Sequence, residues 1–94
     1  MNTPINFEIE KLLIERNIDL PVKTTIADVV MWLYEKHEIW IDSSFDGGAL
    51  CFYYVINTST NKEHANRINY LPIRFNSPTE AYETAIIYTL KNLI

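Results

Sequence analysis

The residues in this 94-residue chain with reactive side chains are few and scattered. The lone cysteine, Cys51, cannot form an internal disulfide or a multi-thiolate metal site. It falls in a β-rich run, where a buried thiol behaves as a small hydrophobe and stays protonated. His37 ends a helical stretch and His64 follows Glu63 in a polar segment. Neither lies four residues from another ligand, the spacing that puts two zinc ligands on one helix face. Capping and solvation therefore account for both histidines. Asp42, Ser43, Ser44 and Asp46 cluster near a turn, where Asp and Ser are ordinary hairpin residues. They are not followed by the bidentate glutamate of a calcium loop. The chain contains no phosphate loop, dinucleotide fingerprint or nucleophile elbow. These residues point to a protein that is not an enzyme, with no catalytic residues, metal or cofactor.

The elements that would position these groups are more legible. Asn76 to Ile94 reads as a helix, with Ser77 as N-cap, Pro78 at the first helical position and Glu80 three residues after the cap. That spacing predicts a reciprocal capping box. Ala81, Tyr82, Ala85, Ile86, Leu90 and Leu93 then form one buried stripe at helical period, opposite Thr79, Glu83, Lys91 and Asn92. Ile5 to Arg16 reads as a first helix with Ile5, Ile9, Leu12 and Leu13 inward. Asn17 takes the left-handed stop and Pro21 bars a restart. A second helix begins at Thr25, with Asp28 in its first turn and Ile26, Val29, Val30, Leu33 and His37 as its inner stripe. Met31, Trp32 and Tyr34 widen its apolar surface, which predicts cover on more than one side.

A hairpin follows. Ile39 to Phe45 and Leu50 to Ile56 flank Asp46-Gly47-Gly48, where glycine would supply the positive φ of a tight primed turn. An even-length loop puts Ile39, Ile41, Phe45, Leu50, Phe52, Tyr54 and Ile56 on one face, taken as the core face. Trp40, Asp42, Ser44, Cys51, Tyr53 and Val55 share the other. Asn57 to Arg67 reads as a polar loop, and Ile68 to Phe75 as a third strand that Pro72 confines to a sheet edge. The expected architecture is α+β in one domain: a three-stranded antiparallel meander in α-α-β-β-β-α order, helices on one face.

Without the first helix, that order is the one used by double-stranded-RNA-binding domains. Such domains place lysines at the start of the last helix to reach phosphates. Here that turn holds Glu80, with Glu83 beyond, and the whole chain carries a net charge of −4. An RNA-binding module is the alternative reading, and electrostatics argues against nucleic acid as a partner. No secretory leader and no long apolar run is evident, which points to a cytoplasmic protein without membrane association.

Several segments resemble a family of short uncharacterised proteins of Bacteroides and related gut bacteria, their prophages and phages. They are Phe7 to Pro21 (FEIEKLLIERNIDLP), the second helix with Trp32-Leu33 and Glu35-Lys36-His37, and Ser77 to Ile94 (SPTEAYETAIIYTLKNLI). Together they cover about half the chain. Tyr34 stands where the family usually has arginine, and the stretch between Pro21 and Thr25 is shorter than usual. The resemblance implies a mobile-element setting and supplies no activity or site.

The aromatic outer face of the sheet is the one feature that calls for a partner. Trp40, Tyr53 and Val55, joined by Tyr70 of the third strand, make the candidate interaction face, because Trp and Tyr dominate binding hot spots. Either the first helix, with Phe7 and Leu12, folds across this face, or the face is left for a protein partner or a homodimer. The sequence thus reads as a small non-enzymatic accessory protein of phage or prophage type that works by protein–protein contact or self-association.

Overall fold

The computed structural model describes residues 3–21, 23–48, 50–58 and 75–94. Three helices and one hairpin follow in α-α-β-β-α order: α1 (Phe7–Glu15), α2 (Ile26–His37), β1 (Ile39–Asp46), β2 (Cys51–Thr58) and α3 (Pro78–Asn92). The helix boundaries follow from their caps. Asn6 accepts from the Ile9 N–H at 2.9 Å to open α1. Asn17, at φ 57°, closes it. The Asn17 and Ile18 amides donate to the Ile14 and Leu13 carbonyls at 3.0 and 2.9 Å, which is a Schellman closure. Thr25 and Asp28 form a full capping box on α2. On α3 the expected box is only half made. Ser77 accepts from the Glu80 N–H, but the Glu80 carboxylate takes the Asn76 amide, one residue outside the cap.

The two strands pair antiparallel with Ile41 opposite Ile56 and Phe45 opposite Phe52. Asp46 pairs with Cys51, so four residues lie between them and the even-loop facing holds. The turn itself differs from the expected primed turn. Neither Gly47 nor Gly48 has a positive φ; among the described loop residues the left-handed one is Leu50, at φ 54°. A four-residue loop is built around an ordinary turn, and its left-handed step comes just before the returning strand. Leu50 is consequently lifted off the core face and stands 79% exposed. Phe45, near the tip, is also exposed, stacked edge-on against Phe52 at 5.1 Å.

The helices pack on one face of this hairpin. Ile39, Ile41, Tyr54 and Ile56 from the strands meet Ile26, Val29, Val30 and Leu33 of α2 and Ala81, Ala85, Ile86 and Leu90 of α3. Each large aliphatic side chain so buried contributes about 1.5–3 kcal/mol. Thr89 also lies wholly inside, its hydroxyl donating to the Ala85 carbonyl at 2.8 Å. That local bond satisfies a polar group among apolar ones. The α2 stripe stops at Leu33: His37 is exposed, edge-on to Trp32 at 5.0 Å. Met31 and Tyr34 are exposed too, while Trp32 is half-buried against the core, so only part of the widened apolar surface of α2 is covered.

The third strand was expected over Ile68 to Phe75. Of that stretch only Phe75 is among the described residues. It exchanges two backbone hydrogen bonds with Phe52, at 2.9 and 3.1 Å. Phe52 also faces Phe45, so β2 has a neighbour on each side at that point. The polar loop from Asn57 is described only as far as Thr58, which belongs to β2. Among the described residues no helix is long and apolar enough to cross a membrane.

Two substitutions test this account. Leu50→Gly removes a left-handed strain of roughly 1–2 kcal/mol at a site with no packing to lose. Allowing for the extra freedom glycine brings to the unfolded chain, it should stabilise by about 0.5 kcal/mol in urea unfolding. Asn6→Ala loses both the α1 cap and a bond to Glu83, and should cost about 1–2 kcal/mol; an unchanged midpoint would show that α1 is not anchored there.

Candidate functional site

The outer face of the hairpin is built by alternation. Trp40, Asp42 and Ser44 on β1 lie across from Asn57, Val55 and Tyr53 on β2, and Asp46 across from Cys51. Trp40 is 36% exposed and Asp42 is exposed, while Ser44, Cys51, Tyr53 and Val55 are half-buried. Cys51 is therefore a partly accessible thiol rather than a buried one, because it sits at the loop end of β2. Tyr34 joins the face from α2: its ring meets Trp40 edge-on at 5.6 Å and 83°. A left-handed step at Glu38, φ 56°, turns the chain sharply from α2 into β1 and brings the two rings together. Sequence reasoning placed Tyr34 on the helix surface and missed this pairing, which depends on the sharpness of that step.

The first helix does not cover this face. α2 and α3 pack against the strands from the core side, whereas α1 packs on α3 and touches neither strand. Three polar links hold it there. Asn6 Nδ2 donates to Glu83 at 3.1 Å, and Lys91 pairs with Glu8 at 3.5 Å. Arg16 donates to the Ile94 and Lys91 carbonyls at 2.5 and 3.3 Å. Asn6 thus meets α3 at Glu83 near its start, whereas Glu8 and Arg16 both reach its end, at Lys91 and Ile94. Leu12 is buried in that contact and Phe7 stands 80% exposed. Of the two alternatives for the outer face, the one in which Phe7 and Leu12 of α1 fold across it is thus excluded.

The structure brings Trp40, Tyr53 and Val55 onto one surface as expected. Tyr70 and His64 lie outside the described residues. The cluster near the turn has structural uses: Asp46 accepts from the Gly48 N–H at 2.9 Å, fixing the loop. Ser43 belongs to the core side, where its hydroxyl is buried without a hydrogen-bond partner among the described residues. Among the described residues, no three His, Cys, Asp or Glu side chains stand close enough to hold a metal ion.

Tyrosines crowd the core side of β1 and β2. Burial, and then the Asp42 carboxylate, push the Tyr82 phenol above its ordinary value of 10.0, while the Ser43 backbone draws it partly back. Burial, and then Tyr88, push Tyr54 up as well. Comparison with known proteins finds no family model, no curated protein and no solved structure that matches this chain.

The tyrosines give a pH dependence of definite sign. Folded Tyr54 and Tyr82 hold their protons more tightly than the unfolded chain does. Their contribution to stability is whole below pH about 10 and is lost as pH rises through their folded values. The melting temperature should fall steeply above pH 10, and less steeply in Tyr82→Phe; identical alkaline slopes would remove Tyr82 from this account.

Proposed function

We propose that the protein is a small non-enzymatic accessory protein, of phage or prophage type, whose outer hairpin face binds another protein. One observation carries this reading. Trp40, Tyr53 and Val55 lie on the hairpin face opposite the buried Ile41, Tyr54 and Ile56, Tyr34 of α2 meets Trp40 at its edge, and α1 is engaged elsewhere. Rigid amphipathic rings of this kind supply contact area at low entropic cost, and they dominate measured hot spots. The mobile-element setting is supported by the resemblance of α1, α2 and α3 to the gut-bacterial family. A sheet extended by a third strand on β2 is the architecture we favour, and the Phe75 bridge to Phe52 supports it. The RNA-binding alternative gains no support from α3, whose first turn presents an exposed Glu80 where a phosphate would need lysine.

The test is affinity capture from the native host after phage induction, with wild type and Val55→Lys side by side. Val55 is half-buried on the outer face, so a lysine there leaves the core intact and charges the contact surface. At least one protein should be retained by wild type and lost by the variant, with the melting temperature little changed. The same proteins retained by both would dismiss the outer face as the binding surface.

A further inference from the structure

The face of α1 turned away from α3 carries two large apolar side chains that are mostly exposed. Phe7 is 80% and Ile14 67% exposed, and they stand one heptad apart. Glu10 and Lys11 lie between them. At 100° per residue, positions 7, 10, 11 and 14 share about 100° of arc. Ile9, Leu12 and Leu13 occupy the opposite, buried side. Exposing two large hydrophobes on one helix stripe is costly, and such stripes mark contact surfaces.

The stripe is complementary to itself. When α1 is laid antiparallel on a second α1 about a two-fold axis between positions 10 and 11, paired positions sum to 21. Phe7 then faces Ile14 of the other copy, and Glu10 faces its Lys11, each contact occurring twice. A parallel alignment would set Glu10 on Glu10 and Lys11 on Lys11. Beside Ile14 the surface also opens into a cleft of about 700 Å³, lined by Glu10, Leu13, Ile14, Ile18, Leu20 and Pro4 among others. The antiparallel register brings the Phe7 ring of the second copy to the mouth of this cleft. An exposed aromatic knob and an apolar recess are thus related by the same two-fold axis that pairs the charges.

We infer that α1 is a self-association surface whose partner is a second copy of this chain, with helices antiparallel and Phe7 of each entering the cleft of the other. Isologous two-fold contact of this kind is the commonest route to a homo-oligomer. A nine-residue helix is only about 13 Å long, so the interface is small and the dimer weak. A dissociation constant on the order of 100 μM fits an interface of this size. This surface is separate from the outer hairpin face, and the two can be tested independently.

The experiment is sedimentation equilibrium of the full chain at low salt, from roughly 10 μM to 1 mM, which spans the dissociation constant expected for so small an interface. Wild type should rise with concentration towards twice the chain mass, and less so in high salt, which screens the pairs. Phe7→Ala should stay monomeric with a little-changed melting temperature, since that side chain is 80% exposed in the monomer. Glu10→Lys alone sets two lysines against two lysines, and Lys11→Glu alone sets acids against acids. Each should weaken self-association about tenfold, whereas an equimolar mixture of the two should associate within about threefold of wild type, because opposite charges then meet. Lys11 also lies 4.0 Å from Glu15 of its own helix. A loss due only to that internal pair would not be repaired by mixing. A wild type monomeric at 1 mM overturns the inference, and so does a mixture no stronger than the single variants. Val55→Lys should leave the sedimentation profile as it is; its loss of association would move the dimer to the hairpin instead.

Discussion

The fold depends on how closely α3 can approach its neighbours. It is the one helix in contact with every other element: α1 on one side, α2 beside it, and both strands beneath. That requires a helix with little bulk at its crossing points. Ala81 and Ala85, both fully buried, supply it. Ile86 and Leu90 then reach the space between helix and sheet, and Thr89 fills the remaining position by bonding its hydroxyl back to Ala85. A larger side chain at either alanine would push the helix away from its neighbours and force strain into a close-packed interior.

The location of α1 follows from this. Once α3 covers the sheet, α1 finds its apolar partner on the back of α3, and three polar links set its direction and register. Individually such links are worth little at the surface. Asn6 is the more consequential of them, because it caps α1 and reaches Glu83 at the same time. This arrangement leaves two surfaces without a helix against them among the described residues: the outer face of the hairpin and the outer stripe of α1. Each carries exposed aromatic side chains, and each has a distinct chemistry. The hairpin face is a flat aromatic patch, and the helix stripe is a charge-bracketed apolar seam.

How far the site could be read beforehand differs from residue to residue. Trp40, Tyr53 and Val55 fall on one face because side chains alternate along a strand and an even loop preserves that alternation. Leu50 escaped the same rule because the loop needed a left-handed residue just before β2, and its φ of 54° took the side chain out of the pattern. Whether α1, with Phe7 and Leu12, would cover the sheet stayed open. Hydrophobic periodicity marks which stripe of a helix is buried and is silent about which surface buries it.

What the sequence determined by itself is local: the starts of α2 and α3, the stop at Asn17, the two paired strands and their facing. Caps, glycine-rich turns and periodicity act over a few residues, so their signal survives without the rest of the molecule. The tertiary structure decided which faces meet. It set α1 on α3 rather than on the sheet, turned Tyr34 onto Trp40, and drew a threonine into the core while leaving a phenylalanine outside. Those outcomes depend on competition between surfaces far apart in the chain, settled by area buried, shape and hydrogen-bond satisfaction, none of which a stretch of sequence carries alone.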